Sequence, residues 1–598
     1  MDGSADEPYV YPGVRARLRR HLQVLYPPKA AREAEAALVR VLAPWFEGRP
    51  ISNPPTSLFS ERDAILITYG DQFRAAGQTP LATLRGFVAD HLTPEVSTVH
   101  LLPIHPWTSD DGFSVADFAT VDPALGTWED VRAFRPDVDL MLDAVVNHTS
   151  ASHSWFRRFL AGDPAYEDFY MAASPQVDLT RVTRPRATPL LHPFDAVDGL
   201  RHVWTTFSAD QVDLDYRNPQ VLAAMTAALL RYVANGARLI RLDAIAFLWK
   251  QIGTPCVHLP QTHEVVKLWR TIVDAVSPGT LLITETNVPH VENVAYFGRG
   301  DDEAHLVYQF PLAPLVLHAF DRGNATTLRI WAEGLRTPAE DTTFFNFLGS
   351  HDGIGLRPVE GILSSEDVQR LVDRVQRHGG GVSFRSNPDG SSSPYELNTV
   401  YFDALNDPFA DEPQDVQVDR MMASQSILLA LAGVPGLYVH ALLGSRNWRE
   451  GTEKLGSLRA INRQKLDLES VLAELEDPRS LRHAVWTRMR GMLAVRRSEP
   501  AFHPNAPQRV LSADPGLLVI ERTPQDGSST VVCVTSVVDD ERALDLGPQA
   551  GLPAGCAWTS LLGDEPDSVH TDAEGRLGAQ VPPYGVLWLK ATEGGRGA

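Results

Sequence analysis

The chain has 598 residues, 43% of them hydrophobic, enough for a large core and more than one domain and too apolar for a disordered protein. Its formal net charge of -21 argues against nonspecific binding to nucleic acid or to an anionic membrane, which select a basic face. Three cysteines, Cys256, Cys533 and Cys556, make no disulfide framework and point to a reducing, cytoplasmic compartment.

The N-terminus, MDGSADEPYVYPG, has no basic segment leading into an apolar run, so no secretory signal is expected. Residues 1–62 read as a helical extension packed on the main domain: AREAEAALVRVLAPWF has helical apolar spacing and EGRPISNPPTS ends it. From residue 63 a rhythm begins. Eight short apolar strands are expected at AILITYG, TVHLLPI, DLMLDAVV, ARLIRLDAI, LLITETN, HLVYQF, FFNFLGS and GLYVHALL. Amphipathic helices such as TPLATLRGFVADHL, NPQVLAAMTAALLRYVANG and THEVVKLWRTIVDAV lie between several of them. This alternation predicts a parallel α/β structure, and eight strands predict a closed (β/α)8 TIM barrel over 63–505. An open α/β sheet is the alternative, but LITYGDQ lacks the glycine-rich turn of a dinucleotide fold.

Two connections exceed ordinary barrel links, at about 149–216 after the third strand and about 353–426 after the seventh. Both leave the C-terminal face, so an inserted domain B and a long loop region are expected over the site. SILLALAGVPGLYVHALLG is the longest apolar run; Gly433, Pro435 and Gly436 break it into helix end, turn and buried strand, so no membrane span is predicted. Residues 508–593 carry short strands between turns and predict a C-terminal antiparallel β domain, followed by a frayed tail.

Three acids stand at the ends of apolar strands: Asp243, Glu285 and Asp352. A carboxylate on the rim of a buried strand is costly unless solvated, paired or used. Strand alternation puts Arg241 on the face of Asp243, where pairing is expected to keep Asp243 ionised as a nucleophile toward a sugar carbon. Partial burial and a carboxylate neighbour raise the pKa of Glu285, which suits a general acid and base. Asp352, in a turn with Gly349, Ser350 and Gly353, is expected to stay ionised and hold a sugar ring distorted, with His351 on a neighbouring hydroxyl. The bland readings are a structural Arg–Asp pair and an ordinary turn aspartate. In DAVVNHTS, His148 stands just beyond a strand on which Asp143, Val145 and Asn147 share a face; it is a sugar contact or a satisfied rim histidine. Asp110 and Arg463 are candidates for clamping the far hydroxyls of a glucose. Tyr69, Trp107, Phe113 and Phe247 are candidates for stacking on its apolar face. No metal-ligand spacing or phosphate loop appears, so neither a metal nor an organic cofactor is expected.

These motifs, in this order, resemble the alpha-amylase superfamily of glycoside hydrolases and transglucosidases: DAVVNHTS, RLDAIAF, ITETN and FLGSHDG. The resemblance spans roughly 63–593. It implies Asp243 as nucleophile, Glu285 as acid/base and Asp352 as transition-state stabiliser, with Arg241, His148 and His351 in the glucose subsite. ITYGDQ, LLPIHPWTSDDGFSVADF, ETNVPH, SPYELNTVYFDAL and RAINR resemble the sucrose phosphorylase branch, which implies that Asp110 and Arg463 bind glucose hydroxyls. It also implies small-molecule partners: an α-glucoside, inorganic phosphate and α-glucose 1-phosphate. The sequence departs from sucrose phosphorylases at Asn287, where they carry histidine, and at Glu396 after Tyr395, where they carry glutamine. ETNVPH, SPYELN and the greater length look more like glucosylglycerate phosphorylases. Sucrose, sucrose 6'-phosphate and glucosylglycerol stay open as donors, as do plain hydrolysis and transglycosylation. An inactive amylase-fold interaction subunit is the rival of another class, against which all three acids are present. Glycerate and phosphate are both anions, and FYMAASPQVDLTRVTRPRATP supplies Arg181, Arg184 and Arg186 as cations to hold them or as solvated surface charges. A homodimer is compatible with the sequence, which shows no direct sign of one.

Overall fold

The computed structural model describes residues 9–47, 53, 55–387, 389–563 and 568–592. The first residues, most of the break expected after the N-terminal helices and the tail after Thr592 lie outside the described residues.

Eight parallel strands close into a barrel: β1 (Ile65–Thr68), β2 (Thr98–Leu101), β3 (Asp139–Val145), β4 (Ala237–Asp243), β5 (Leu281–Thr284), β6 (Leu306–Tyr308), β7 (Thr343–Phe347) and β8 (Val434–Tyr438). Each pairs with its sequence neighbours, and β8 closes onto β1 with Ile65 opposite Gly436. Almost every strand residue is buried, as a sheet covered on both faces requires. The expected α/β class and (β/α)8 closure are therefore what the chain adopts, with excursions after β3 and β7.

The eighth strand was expected at GLYVHALL. It instead begins at Val434 and ends at Tyr438, and Val439–Leu442 is helical. Within it, a Cβ on Gly436 would lie 2.3 Å from the Phe345 ring, so only glycine fits at that position.

The long connections are structured. After β3 the chain forms a short helix (Ser154–Leu160), a hairpin (Leu191–Ala196 with Gly199–Trp204) and a two-stranded sheet (His148–Ser150 with Gln211–Asp213). After β7 come the helix Ser365–Arg377 and a three-stranded sheet in which Ser392–Asn398 is central. The helix Gln414–Ala430 then leads into β8.

At the N-terminus two helices form, α1 (Pro12–Leu25) and α2 (Pro28–Phe46), each opened by a proline in its first turn. Sequence reading singled out only the second. In α1 the basic run RARLRRH surrounds a narrow buried stripe of Val14, Leu18, Leu22 and Leu25. The pair packs on the outer barrel helices α3 (Pro219–Ala234) and α4 (Pro260–Val276), inside the same apolar core. At the other end a six-stranded antiparallel sheet, running from Gln508 to Thr592, docks on Gln414–Ala430: Arg522 donates to Ala430 O at 2.8 Å and Trp588 Nε1 to Ser426 Oγ at 3.0 Å. Among the described residues no helix is long and apolar enough to cross a membrane.

Candidate active site

A cavity opens at the C-terminal ends of the strands, where barrels place their loops. Asp110, Phe113, His148, Asp243, Glu285, Asn287, His351, Asp352, Tyr395 and Glu396 all line it. The acids leave β4, β5 and β7, far apart in sequence.

At the floor the barrel interior carries a buried polar layer. Asp143 and Arg241 are register partners on β3 and β4, and their side chains form an ion pair; His100 Nε2 meets the other Asp143 oxygen at 2.7 Å. The Arg241 side chain is 1% exposed, so it is held by charge rather than by water. The same Nη1 donates to Asp243 Oδ1 at 2.8 Å, while Nη2 lies 3.9 Å from Glu285 Oε2. Ala244, turned into the left-handed region at φ 51°, brings its N–H to Glu285 Oε2 at 3.1 Å.

Burial pushes the pKa of Asp243 well up; Arg241 opposes this, and Glu285, Asp143 and Asp352 add to it. Burial likewise raises Glu285, against Arg241 and with Asp352. The pairing with Arg241 expected at Asp243 is present and works against its burial. The guanidinium is shared with Asp143, so the two cavity acids titrate as a pair. Asp352 differs. Burial would raise it, but Arg459, Arg463 and Arg241 outweigh that and hold it far below the usual carboxylate range. Arg459 Nη1 is 3.0 Å from Asp352 Oδ1.

His351 stacks on Phe113 with ring centroids 4.9 Å apart and planes 3° apart. Neither of its buried ring nitrogens is hydrogen-bonded, although Nε2 lies 3.4 Å from Asp352. Burial keeps it neutral, so it is poised for a ligand hydroxyl. His148 is already satisfied: Asn147 Nδ2 donates to Nδ1 at 3.2 Å, so Nε2 carries the proton and donates to Phe113 O at 2.8 Å. It lines the cavity with both nitrogens engaged, so the satisfied-histidine reading fits its hydrogen bonds better than a free sugar donor.

Arg463 does not line the cavity. It sits behind it, donating through Nε to His351 O at 2.9 Å and through Nη1 to Asp111 Oδ2 at 2.8 Å and Asp110 Oδ1 at 3.4 Å. The arginine that faces the cavity is Arg459, one turn earlier in the 3-10 segment Leu458–Asn462. Sequence reading passed over it; the pair of arginines in RAINR was the available signal. Tyr69 and Trp107 line a different cavity, and the aromatic walls here are Phe113, Phe207 and Phe247. Of the three loop arginines only Arg186 reaches the site, over the Tyr395 ring at 5.1 Å; Arg181 is exposed and Arg184 faces another pocket. Burial lifts the Tyr395 hydroxyl to a pKa of about 12. Asn287 Oδ1 is buried without a hydrogen-bond partner.

Two further residues were missed. Lys250 Nζ, after β4, contacts Asn147 Oδ1 at 2.6 Å and Asp213 Oδ2 at 2.8 Å, buried beneath His148. Gln211 Nε2 donates to the same Phe113 O at 3.3 Å, beside His148.

An acid triad on β4, β5 and β7 of a (β/α)8 barrel, around one buried arginine, defines an alpha-amylase-type catalytic barrel. The alpha amylase catalytic-domain family matches residues 81–354. The glucosylglycerate phosphorylase of Spirochaeta thermophila is 47% identical over 581 residues, covering 96% of this chain and 98% of that protein. That of Escherichia coli K12 is 47% identical over 480 residues, covering 80% of this chain and 85% of its own length. In fold, the crystal structure of sucrose 6F-phosphate phosphorylase from Thermoanaerobacter thermosaccharolyticum superposes with a TM-score of 0.69 at 23% identity, over 80% of this chain and 94% of that one. The chain is a glycoside phosphorylase and belongs to the glucosylglycerate phosphorylase family of the alpha-amylase superfamily.

Proposed function

We propose that the chain converts 2-O-α-D-glucosyl-D-glycerate and phosphate to α-D-glucose 1-phosphate and D-glycerate with retention. The observation that carries the mechanism is the single guanidinium of Arg241 set unequally between two cavity acids, 2.8 Å from Asp243 and 3.9 Å from Glu285. The shorter contact favours the charge on Asp243, against the burial that raises both acids, and leaves the proton to Glu285. Asp243 attacks the anomeric carbon as the glycosidic C–O bond breaks, and Glu285 gives its proton to the departing glycerate oxygen. The product is a β-glucosyl ester of Asp243. A phosphate oxygen then attacks the same carbon, the ester bond breaks, and Glu285 recovers a proton from the phosphate. Two inversions leave the α configuration.

Asp352, anionic, faces the positive charge that grows on the ring in both steps. His351 and Asp110 take glucose hydroxyls, Phe113 takes the apolar ring face, and Arg463 fixes Asp110 from behind. Asn287, Tyr395, Glu396 and Arg186 form the wall of the acceptor subsite. Arg186 supplies the cation that glycerate and phosphate use in turn, since its Nη1 is buried and unbonded. The frame is a barrel over 63–505 with its insertions, an N-terminal extension to residue 62 and a β domain over 508–593. The three free thiols fit a reducing cytoplasm, and the chemistry calls on no second copy of the chain.

The test is incubation with phosphate and, separately, 2-O-α-glucosylglycerate, sucrose, sucrose 6'-phosphate and glucosylglycerol, with α-glucose 1-phosphate measured. Strong release from glucosylglycerate alone is expected. Free glucose in its place would make water the acceptor and the chain a hydrolase.

A further inference from the structure

The loop after β2 that brings Asp110 and Phe113 to the cavity has a strained backbone. Asp110 at φ 53°, Asp111 at φ 48° and Gly112 at φ 109° follow one another with positive φ. Two of them carry side chains, and such residues persist only where their surroundings over-determine them. The flanks of the loop are joined by the bridge between Trp107 and Val115 and by Thr108 N–H to Ser114 O at 3.1 Å. Its tip is held by Arg463 Nη1 on Asp111 Oδ2 at 2.8 Å. A third hold comes from Asp210, on the returning end of the first excursion. Asp210 Oδ2 accepts from Thr108 Oγ1 and Ser109 Oγ, each at 2.6 Å, just before Asp110 in the chain. It also accepts from Ser114 Oγ at 2.8 Å, just after Phe113. Oδ1 faces the start of the same excursion and accepts from Ala151 N–H at 3.2 Å and Ser150 Oγ at 3.3 Å. One carboxylate thus closes on both flanks of the loop. Burial would raise its pKa, but the bonds from Ser109, Thr108, Ser114 and Ala151 outweigh that and keep it an anion. Asp210 is not itself part of the cavity wall.

We propose that Asp210 is a positioning residue: through Thr108, Ser109 and Ser114 it holds the strained loop in the form that presents Asp110 and Phe113 to the sugar. Hydroxyls that donate to a carboxylate form short, strong bonds, and three of them on one oxygen fix the two flanks relative to each other. Without that oxygen the loop relaxes toward ordinary φ values. The Asp110 carboxylate then leaves its place at the ring, and Phe113 leaves its stack on His351. Asp210 touches neither the sugar nor the reacting atoms, so it acts only through the loop. A carboxylate that merely pinned the excursion to the barrel would change stability and leave sugar handling alone. The inference rests on the reading of Asp110 as a glucose ligand, and the experiment separates the two.

The experiment is a double-mutant cycle with α-D-glucosyl fluoride as donor and phosphate present, in which fluoride release gives kcat/KM and a thermal melt reports folding. Asp210→Ala is made in the wild-type chain and in Asp110→Gly, which removes the carboxylate and accepts the left-handed backbone. In the wild-type chain Asp210→Ala should lower kcat/KM by about 10- to 100-fold. In Asp110→Gly, where the group it positions is already gone, it should add about threefold or less. The same factor in both backgrounds, or a lowered melt with kcat/KM unchanged, overturns the proposal. Asp210→Asn keeps one acceptor oxygen for the three hydroxyls and should return part of the loss. Should the alanine variant not fold, Asp210→Asn decides by the same comparison: a loss that shrinks in Asp110→Gly supports the proposal, and no loss or an equal one overturns it. Full activity in Asp110→Gly alone removes Asp110 from the sugar, and the proposal falls with it. Free glucose in place of α-glucose 1-phosphate defeats the phosphorylase reading, while fluoride release still decides the role of Asp210.

Discussion

Asp243 and Glu285 are both carboxyls and both pushed up in pKa by burial, but Asp243 lies closer to Arg241, while Glu285 accepts the Ala244 N–H. Their substitutions should therefore fail differently. Asp243→Asn removes the attacking atom and should lower turnover by roughly 10⁴-fold with every donor, with the thermal melt unchanged. Near-normal rates would remove Asp243 from the mechanism. Glu285→Gln removes only a proton, so it should cost roughly 10²- to 10⁴-fold with a glycerate leaving group and far less with fluoride, which leaves unaided. Equal losses on both donors would deny Glu285 its part as acid. The pH dependence follows in sign. The working form of Glu285 is protonated and its folded pKa is raised by burial, so glucosylglycerate cleavage persists above the ordinary glutamate range and falls as pH climbs through the raised value. That alkaline limb should vanish in Glu285→Gln assayed with glucosyl fluoride.

At the scale of elements, the joint between β3, β4 and the chain returning from the first excursion depends on one buried cation. Lys250 follows β4, Asn147 follows β3, and Asp213 lies on the returning strand Gln211–Asp213. Removing the ammonium leaves the wholly buried Asp213 carboxylate without its ion-pair partner. Lys250→Met should lose about 3–5 kcal/mol of stability in urea unfolding, and Lys250→Met with Asp213→Asn should recover part of it. A double variant no better than the single would show that the pair does not couple.

This joint also marks the limit of what is legible in the sequence. Strand ends carrying Asp243, Glu285 and Asp352 announce themselves, because a charge at the end of an apolar run contradicts burial. Lys250 ends the run IAFLWK in the same way, but lysine after apolar residues is the ordinary signature of a surface. Arg459 hid beside Arg463 because one helical turn separates a residue facing the cavity from one behind it, and spacing alone does not choose between them. The barrel was legible because its strands are mostly apolar runs that alternate with amphipathic helices. Helix α1 was not, since four buried residues among arginines make too narrow a stripe.

Across the whole molecule, a formal charge of -21 surrounds a site that must admit phosphate. At low ionic strength the summed field of the surface opposes the approach of any anion, while Arg186 attracts it only within the cavity. Raising salt shortens the reach of the surface field from about 30 Å at 0.01 M to about 8 Å at 0.15 M and leaves the enclosed Arg186 contact less affected. The second-order rate constant of the glucosyl-enzyme with phosphate should therefore rise by a few-fold over that range. With the neutral donor α-D-glucosyl fluoride and water as acceptor, the rate should stay level, which controls for effects of salt on the fold. A phosphate rate that falls with salt while the water reaction stays level would mean that the local field of Arg186 extends to the mouth of the cavity. The acidity of the surface would then have no part in setting how fast phosphate is captured.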